Sequence, residues 1–419
     1  MAGEASIANS KAIIKEQYTQ SKVYWVAYKN NPEIAEVRND TGWEGGSKII
    51  SIQTEAPTGA GSTIAIAQAA ANPGAYHRFA VDRIEDFGVA RVKGQALRAA
   101  GSNKGALIDL WKREMEGAIL QNTRSAAINF WGTGTGLRGK VGSISTNLLT
   151  LAEPTSATNF FVNMLVQAST TDGGTLIASG ATEQIAKISR RTGILTSTSA
   201  NWTTNLTGLA AGNFLYRNGD SPNNGTTMLM ATGLQGWVPD TLTSALFWTK
   251  DRTVDDTRLA GQPMDGANVS MQEIVLDAMA NLEVDGADED QSEIVAWMHP
   301  RARMNLVKEL QGKVVVTRTE KPIPGSMAKV GFKKTTFETP LGEATVRSSI
   351  NVPIDRCFVM RWGCVSFDSL GALPHIIDDD GNKFLRESSD DAVEVRTCYY
   401  GNVCVEAPSD ICNIRNFGR

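Results

Sequence analysis

Residues 105–136 read GALIDLWKREMEGAILQNTRSAAINFWGTGTG. Leu107, Trp111, Met115, Ala118, Ile119, Ala126 and Phe130 recur at helical spacing, which predicts one long helix from about Ser102 to Phe130. Asp109/Arg113 and Lys112/Glu116 add i,i+4 ion pairs on its polar side. At 1.5 Å per residue such a helix is ~40 Å long, the dimension of a whole domain. Its Leu107/Trp111/Met115 face is expected to lie on a sheet of the same chain. The helix runs out into Trp131-Gly-Thr-Gly-Thr-Gly136. Gly134-Thr-Gly-Leu-Arg-Gly139 spells GxGxxG, and Val141 completes the kinase form of that pattern. Phosphate binding by such a loop needs a strand before it and a helix after it, so that the helix N-terminus meets the anion. Here a helix precedes and strands are expected to follow, with no HRD or DFG partner for a kinase. A glycine-rich helix exit explains the run without a ligand.

Upstream of the helix, Lys48–Thr54, Tyr76–Val81 and Phe87–Val92 alternate like strands. Between the first two lie the small residues of Ala56–Thr63 and Ala65–Ala75. This pattern predicts a long hairpin with a poorly packed tip, an arm that gains a monomer little and suits a chain that grips neighbours. At the N-terminus, Ser10 is placed to cap a helix reaching about Tyr28, with Ile13, Ile14, Gln17, Tyr18, Val23, Trp25 and Val26 as a loose apolar stripe; Pro32 ends it.

Downstream, residues 139–221 are rich in Thr, Ser, Gly and Asn and carry short strand candidates at Phe160–Val166, Glu183–Ile188, Gly193–Thr196 and Phe214–Tyr216. With a turn at Arg190-Arg-Thr-Gly193, this predicts a small all-β, barrel-like insertion. Ser270-Met-Gln-Glu273 is a capping box opening a helix through Ile274, Val275, Ala278, Met279 and Leu282. Glu293–Met298 reads as a strand, and His299-Pro300 as the start of a helix carrying Ala302, Leu306, Val307 and Leu310. The tail is β-rich, with strands at Cys357–Met360, Cys364–Phe367, Ala392–Tyr399 and Asn402–Val405. The fold class expected is α+β.

Composition narrows the function classes. The 419 residues carry 41 Lys+Arg against 45 Asp+Glu, a formal charge of −4, which argues against a surface built mainly to neutralise phosphates. No run approaches the ~18 apolar residues of a membrane span. Met1–Ser10 lacks both the basic and the apolar parts of a secretory signal, so a soluble protein made in the cytosol is expected. The five cysteines, Cys357, Cys364, Cys398, Cys404 and Cys412, contain no CxxC pair and read as small buried hydrophobes rather than a zinc site. His77, His299 and His375 are scattered, without HExxH or GxSxG context; His299 reads as a helix-cap residue and His375 as a loop residue. The acidic runs Asp285–Asp290 and Asp378–Asp380 fail the EF-hand spacing and read as solvated turns. No catalytic, cofactor-binding or metal residue is therefore assigned, and no enzyme activity is expected. A hydrolase would need a clustered site, and an adhesion protein would need an export signal.

The order of these elements resembles the major capsid (coat) proteins of tailed double-stranded-DNA bacteriophages, a fold shared with encapsulin shells. Phe79–Leu97 is similar to the returning strand of the family's E-loop, and Gly105–Leu120 with Gly132–Gly136 to its spine helix and exit. Leu234–Pro239 and Met298–Arg303 are similar to A-domain segments; Asp391–Arg396, Tyr400–Cys404 and Ala407-Pro408 resemble the closing P-domain strands. The resemblance implies an N-arm (1–45), E-loop and P-domain strands (46–100), a spine helix (101–138), the β insertion (139–221), an A-domain (222–370) and C-terminal P-domain strands (371–419). It implies a virion shell subunit, assembled in the host cytoplasm into pentamers and hexamers around packaged DNA, or else an encapsulin-like nanocompartment. The partners implied are further copies of the chain, a separate scaffolding protein, a portal at one vertex, optionally a decoration or cement protein, and non-specific contact with packaged DNA; no membrane is involved. With only about 45 residues ahead of the first hairpin strand, the N-terminus is expected to survive into the mature particle.

Overall fold

The computed structural model describes residues 31–95, 110–286, 293–310, 336–339, 342–377, 385–386 and 390–418. The helix read from Ser10 to Tyr28 lies outside them, as do the start of the long helix and Asp378–Asp380. The chain forms two compact units. One comprises Met1–Gly46, Arg83–Ala231 and Phe367–Asn402; the other comprises Ser47–Asp82, Thr232–Ser366 and Val403–Arg419.

In the first unit the strand Ile84–Lys93 runs antiparallel to the strand Ala392–Val405, in register from Ala392↔Lys93 to Gly401↔Ile84. The two tail strands expected at Ala392–Tyr399 and Asn402–Val405 are one continuous strand, because Gly401 stays extended and paired. Alternation turns Ile84, Asp86, Ala90 and Val92 inward. The long helix, described from Leu110 to Phe130, packs on this face. The approach is close at Gly88, where a Cβ would stand 2.5 Å from Asn122 Oδ1 and 2.8 Å from Thr397 Oγ1. Asn122 Nδ2 donates to Thr397 Oγ1 (3.1 Å), and that hydroxyl donates to the Gly88 carbonyl (3.1 Å). Of the helix face expected to pack, Leu107 and the Trp111 side chain lie outside the described residues and Met115 is half-buried. Burial is instead continuous from Arg124 to Trp131, where the helix is enclosed on all sides.

The β insertion is a closed six-stranded barrel ordered Phe214–Arg217, Leu137–Ser145, Leu148–Leu151, Ile194–Ser197, Glu183–Ser189 and Leu165–Ser169. Val141, Leu149, Leu151, Phe160, Val166, Ile185, Leu195, Trp202 and Leu215 fill it. The turn at residues 190–193 forms as expected, with Gly193 at φ +71° donating its N–H to Ser189 O. The strand expected over Phe160–Val166 begins only at Leu165. Phe160 instead ends the 3₁₀ turn Pro154–Asn159, and Asn163 takes a left-handed φ of 69°, which breaks any extended run through it.

The second unit holds a six-stranded sheet in the order Gln262–Asp265, Ile411–Arg415, Cys357–Arg361, Ile294–Met298, Gly342–Ser348, Thr336–Thr339. Ile294–Met298 is buried at every position, as its unbroken apolar run requires of a strand covered on both faces. The helix Met271–Asp285 starts as the capping box predicts, with Ser270 Oγ accepting from Glu273 N, and buries Met271, Ile274, Val275, Ala278, Met279 and Leu282. The helix Pro300–Leu310 packs against it and buries Ala302 and Leu306.

Candidate assembly surfaces

The hairpin in the second unit pairs Ser47–Glu55 with Ala75–Asp82, from Ser47↔Asp82 to Gln53↔Tyr76. One face is buried: Ile50 and Thr54 on one strand, His77, Phe79 and Val81 on the other. Its base is clamped by aromatic rings. Phe79, Trp237 and Phe247 meet edge to face with centroids 5.5, 6.3 and 5.2 Å apart, and the Arg252 guanidinium lies 3.9 Å over the Phe247 ring. Arg252 Nη1 donates to the carbonyls of Gly236 and Trp237, and Trp237 Nε1 donates to Val403 O (3.0 Å). Burial lowers the Arg252 pKa to about 10. Trp248 and Thr249 form a tight turn with both φ positive, 47° and 72°, and the Trp248 carbonyl accepts from Ala80 N. Two bulky residues in that conformation store strain, which the surrounding aromatic packing holds in place. Nothing in the sequence reading singled out this clamp; the aromatic pair Phe247-Trp248 followed by Arg252 in a polar stretch was the available signal.

Beyond the base the hairpin is closed by a Thr58↔Asn72 bridge. The tip, expected to be poorly packed, contains the short helix Ile64–Ala69, whose Thr63 side chain accepts from Ile66 N. Ile64 is 76% exposed and Ile66 52%. Apolar side chains presented on a two-turn helix with little beneath them are an incomplete contact.

A second open apolar surface lies in the first unit, on the face of the sheet opposite the long helix. Phe87 is 49% and Val89 57% exposed there. Phe87 meets Tyr400 edge to face at 6.0 Å, and Tyr400 also contacts the His375 ring at 5.8 Å.

The residues weighed for chemistry are dispersed. His77 Nε2 lies 3.0 Å from Thr54 Oγ1 inside the hairpin, with its pKa lowered by burial and then by Lys250. His299 is the helix cap expected: Nδ1 accepts from Arg301 N at 3.1 Å, and burial, then Arg301, lowers its pKa to about 4. His375 is not in a loop. It forms the short strand His375–Ile376 on the edge of Ala392–Val405, with Nε2 3.3 Å from Cys398 Sγ. Only a partner 23 residues away makes it a strand, so no local pattern could place it. All five cysteines are buried, and burial pushes the thiols of Cys357 and Cys412 up within the core under the helix Met271–Asp285. Among the described residues no three His, Cys, Asp or Glu side chains converge as metal ligands. No described helix is long and apolar enough to cross a membrane. The glycine run leaves a helix and enters the strand Leu137–Ser145, the order opposite to a phosphate loop; Gly136 has φ +76° and abuts Asp220.

No protein-family model matches the chain, and no curated protein does. Solved structures do. A chain of the cyanophage A-1(L) capsid asymmetric unit is 10% identical, with a TM-score of 0.55 over 98% of this chain and 99% of that one. The capsid of a native GTA particle is similar at 8% identity and a TM-score of 0.48 over 99% of both chains. The SrpI encapsulin of Synechococcus elongatus is similar at 8% identity and a TM-score of 0.45 over 98% and 95%. The match to the cyanophage chain thus extends over nearly the full length of both, and the chain has the tailed-phage major capsid fold.

Proposed function

We propose that this chain is the repeating structural subunit of an icosahedral phage capsid, assembling into pentamers and hexamers that enclose packaged double-stranded DNA. The observation that carries this reading is the match to a phage capsid chain over nearly the full length of both. The two open apolar surfaces support it. The tip of the hairpin and the Phe87/Val89 face are each poorly covered within their own unit, and copies in a shell would bury both. In this reading residues 46–100 supply the E-loop and P-domain strands, 101–138 the spine helix, 222–370 the A-domain and 371–419 the closing P-domain strands, while residues 1–45 tie neighbouring copies. The hairpin of one copy lies over the outer sheet face of the next. Much of the ordering free energy is then intermolecular, so stability rises with protein concentration and assembly. A scaffolding protein and a portal are its further partners during assembly.

Negative-stain microscopy of the purified full-length protein tests this. Closed particles of uniform size are expected, and a protein that stays a dispersed subunit at every concentration and salt tried would refute the reading. Particle contents then separate two kinds of shell: nuclease-protected DNA in particles from an infected host marks a phage capsid, whereas a co-purified enzyme cargo marks a nanocompartment.

A further inference from the structure

His77 stands where the clamped base of the hairpin gives way to its free arm. On the base side Phe79 is fully buried in the aromatic clamp, and Ala80 N donates to the Trp248 carbonyl at 3.2 Å. On the arm side Arg258 Nη1 donates to Thr54 O, and from Glu55 to Pro73 every residue but the half-buried Ala67 is exposed. At this boundary His77 is 9% exposed. Its Nε2 lies 3.0 Å from the Thr54 hydroxyl, whereas Nδ1 is enclosed without a hydrogen-bond partner among the described residues. A neutral imidazole tolerates this, with Nε2–H donating to Thr54 and Nδ1 keeping only a lone pair. An imidazolium does not. Both nitrogens must then donate, and while Thr54 Oγ1 can accept one bond, the Nδ1–H is left buried and charged with nothing to receive it. The charges around the ring add to the cost: Lys250 opposes protonation, while Asp255 and then Glu55 favour it, each by less. Asp255 is itself shared with Arg258 at 3.6 Å. Lys250 also closes the Trp248–Thr249 turn, exchanging backbone bonds of 2.9 and 3.0 Å with Phe247, so the opposing cation belongs to the seat of the hairpin.

We propose that His77 is a pH-sensitive latch: neutral, it lets the arm of the hairpin lie down beside Thr54 and Arg258, and protonated it frees the arm to swing while Phe79 stays clamped. The sign follows from linkage. With the arm lifted the ring is in water and takes up a proton near 6.5; with the arm seated, burial and then Lys250 lower that value. The seated state therefore keeps its full advantage above about 6.5 and loses it as pH falls towards the seated value. The bond from Arg258 to Thr54 O is exchanged for bonds to water on lifting, so a single proton weighs against a modest difference. The latch acts within one copy and does not rest on the capsid reading, although in that reading the arm is what grips a neighbour.

The test uses full-length, unassembled subunits with nitroxide labels at Gln68→Cys, on the tip, and Val284→Cys, on the exposed side of the helix Met271–Asp285; the five native cysteines are buried. Label-to-label distances are measured by pulsed electron resonance at about pH 8 and about pH 5. A second, displaced population is expected to grow by ~3-fold or more on acidification. His77→Gln keeps an N–H for Thr54 and cannot take up the proton, so its distribution should be the same at both pH values; His299 still titrates in that variant, which separates the latch from general loosening of the unit. Lys250→Gln removes the opposing charge, raises the seated pKa and should shrink the response to acid. A wild-type distribution that does not change with pH overturns the proposal, as does an equal response in His77→Gln. If His77→Gln is already displaced at the higher pH, Lys250→Gln decides, and an acid response of wild-type size there overturns it. Shell formation is read separately, so failure here leaves the capsid reading standing and the converse also holds.

Discussion

A carboxylate enclosed in a barrel must find its hydrogen bonds there, and Glu183 does. It accepts from Ser197 Oγ (2.6 Å), Thr198 Oγ1 (3.2 Å), Ser199 N (3.3 Å) and Oγ (3.0 Å), and Asn205 Nδ2 (2.7 Å). Burial alone would raise its pKa, but the bonds from Ser197, Asn205 and Ser199 outweigh it and hold the pKa below the usual carboxylate range. Its contribution is therefore complete above the unfolded carboxylate pKa and lost as pH falls through the lower folded value. Glu183→Gln turns one acceptor into a donor facing donors; it should cost about 1–3 kcal/mol in denaturant unfolding and loosen the 197–205 loop to proteolysis. His299 titrates at higher pH. Unfolded, it takes up a proton near 6.5; folded, only near 4, because burial and then the Arg301 charge disfavour the imidazolium, which keeps Nδ1 free to cap the helix. Its stabilising share is present above about 6.5 and disappears as pH falls towards about 4. His299→Asn keeps a capping acceptor that does not titrate, so its stability should overtake that of the wild type across this window in denaturation curves at pH 7 and pH 4.5. The cap was legible because it acts over two residues; the donors to Glu183 come 14–22 residues later, beyond any local pattern.

Among the elements, the long helix and its strand are joined where one side chain is missing. At Gly88 an added methyl meets Asn122 and Thr397 at under 3 Å, and both are locked in the hydrogen bonds that cross the contact. Gly88→Ala should destabilise the first unit by about 1–3 kcal/mol, seen as a lower denaturation midpoint with an unchanged slope. At the helix end Phe130 is fully buried and stacks edge-on with Trp131 at 4.9 Å. Phe130→Ala should cost about 3–5 kcal/mol. The sequence placed the helix through its 3.6-residue period, and Ala118, Ala126 and Phe130 of the apolar stripe are buried, whereas of the Leu107/Trp111/Met115 face only the half-buried Met115 falls among the described side chains. Period tells which side of a helix is apolar, whereas the depth of each turn depends on the strands and barrel laid against it.

For the whole molecule the decisive property is what each copy leaves uncovered. Removing 49–74 would strip Ile50 and Thr54 from the clamped base, so a narrower cut isolates the assembly role. Thr58 and Asn72 exchange both backbone hydrogen bonds, 3.1 and 2.7 Å, as the closing pair of a two-residue turn does. Replacing residues 59–71 by Asn-Gly should leave unfolding of the isolated subunit within ~0.5 kcal/mol of wild type while abolishing closed particles in negative stain. Regular shells from that variant would remove the tip from assembly. By itself the sequence determined the long helix and its glycine exit, the capping box at Ser270, the cap at His299, a strand at Glu293–Met298, the turn at Gly193 and the order of elements that resembles a capsid subunit. Each of these is set by neighbours within a turn or by a period of 2 or 3.6, so a linear reading reaches it. Only the tertiary structure decided the closure of six short strands into a barrel, the pairing of His375 with Cys398, and the ring of Phe79, Trp237 and Phe247 beneath the hairpin. Those contacts close loops of tens to hundreds of residues. Their partners are selected by burial and geometry across the fold, and no short stretch of chain carries that information.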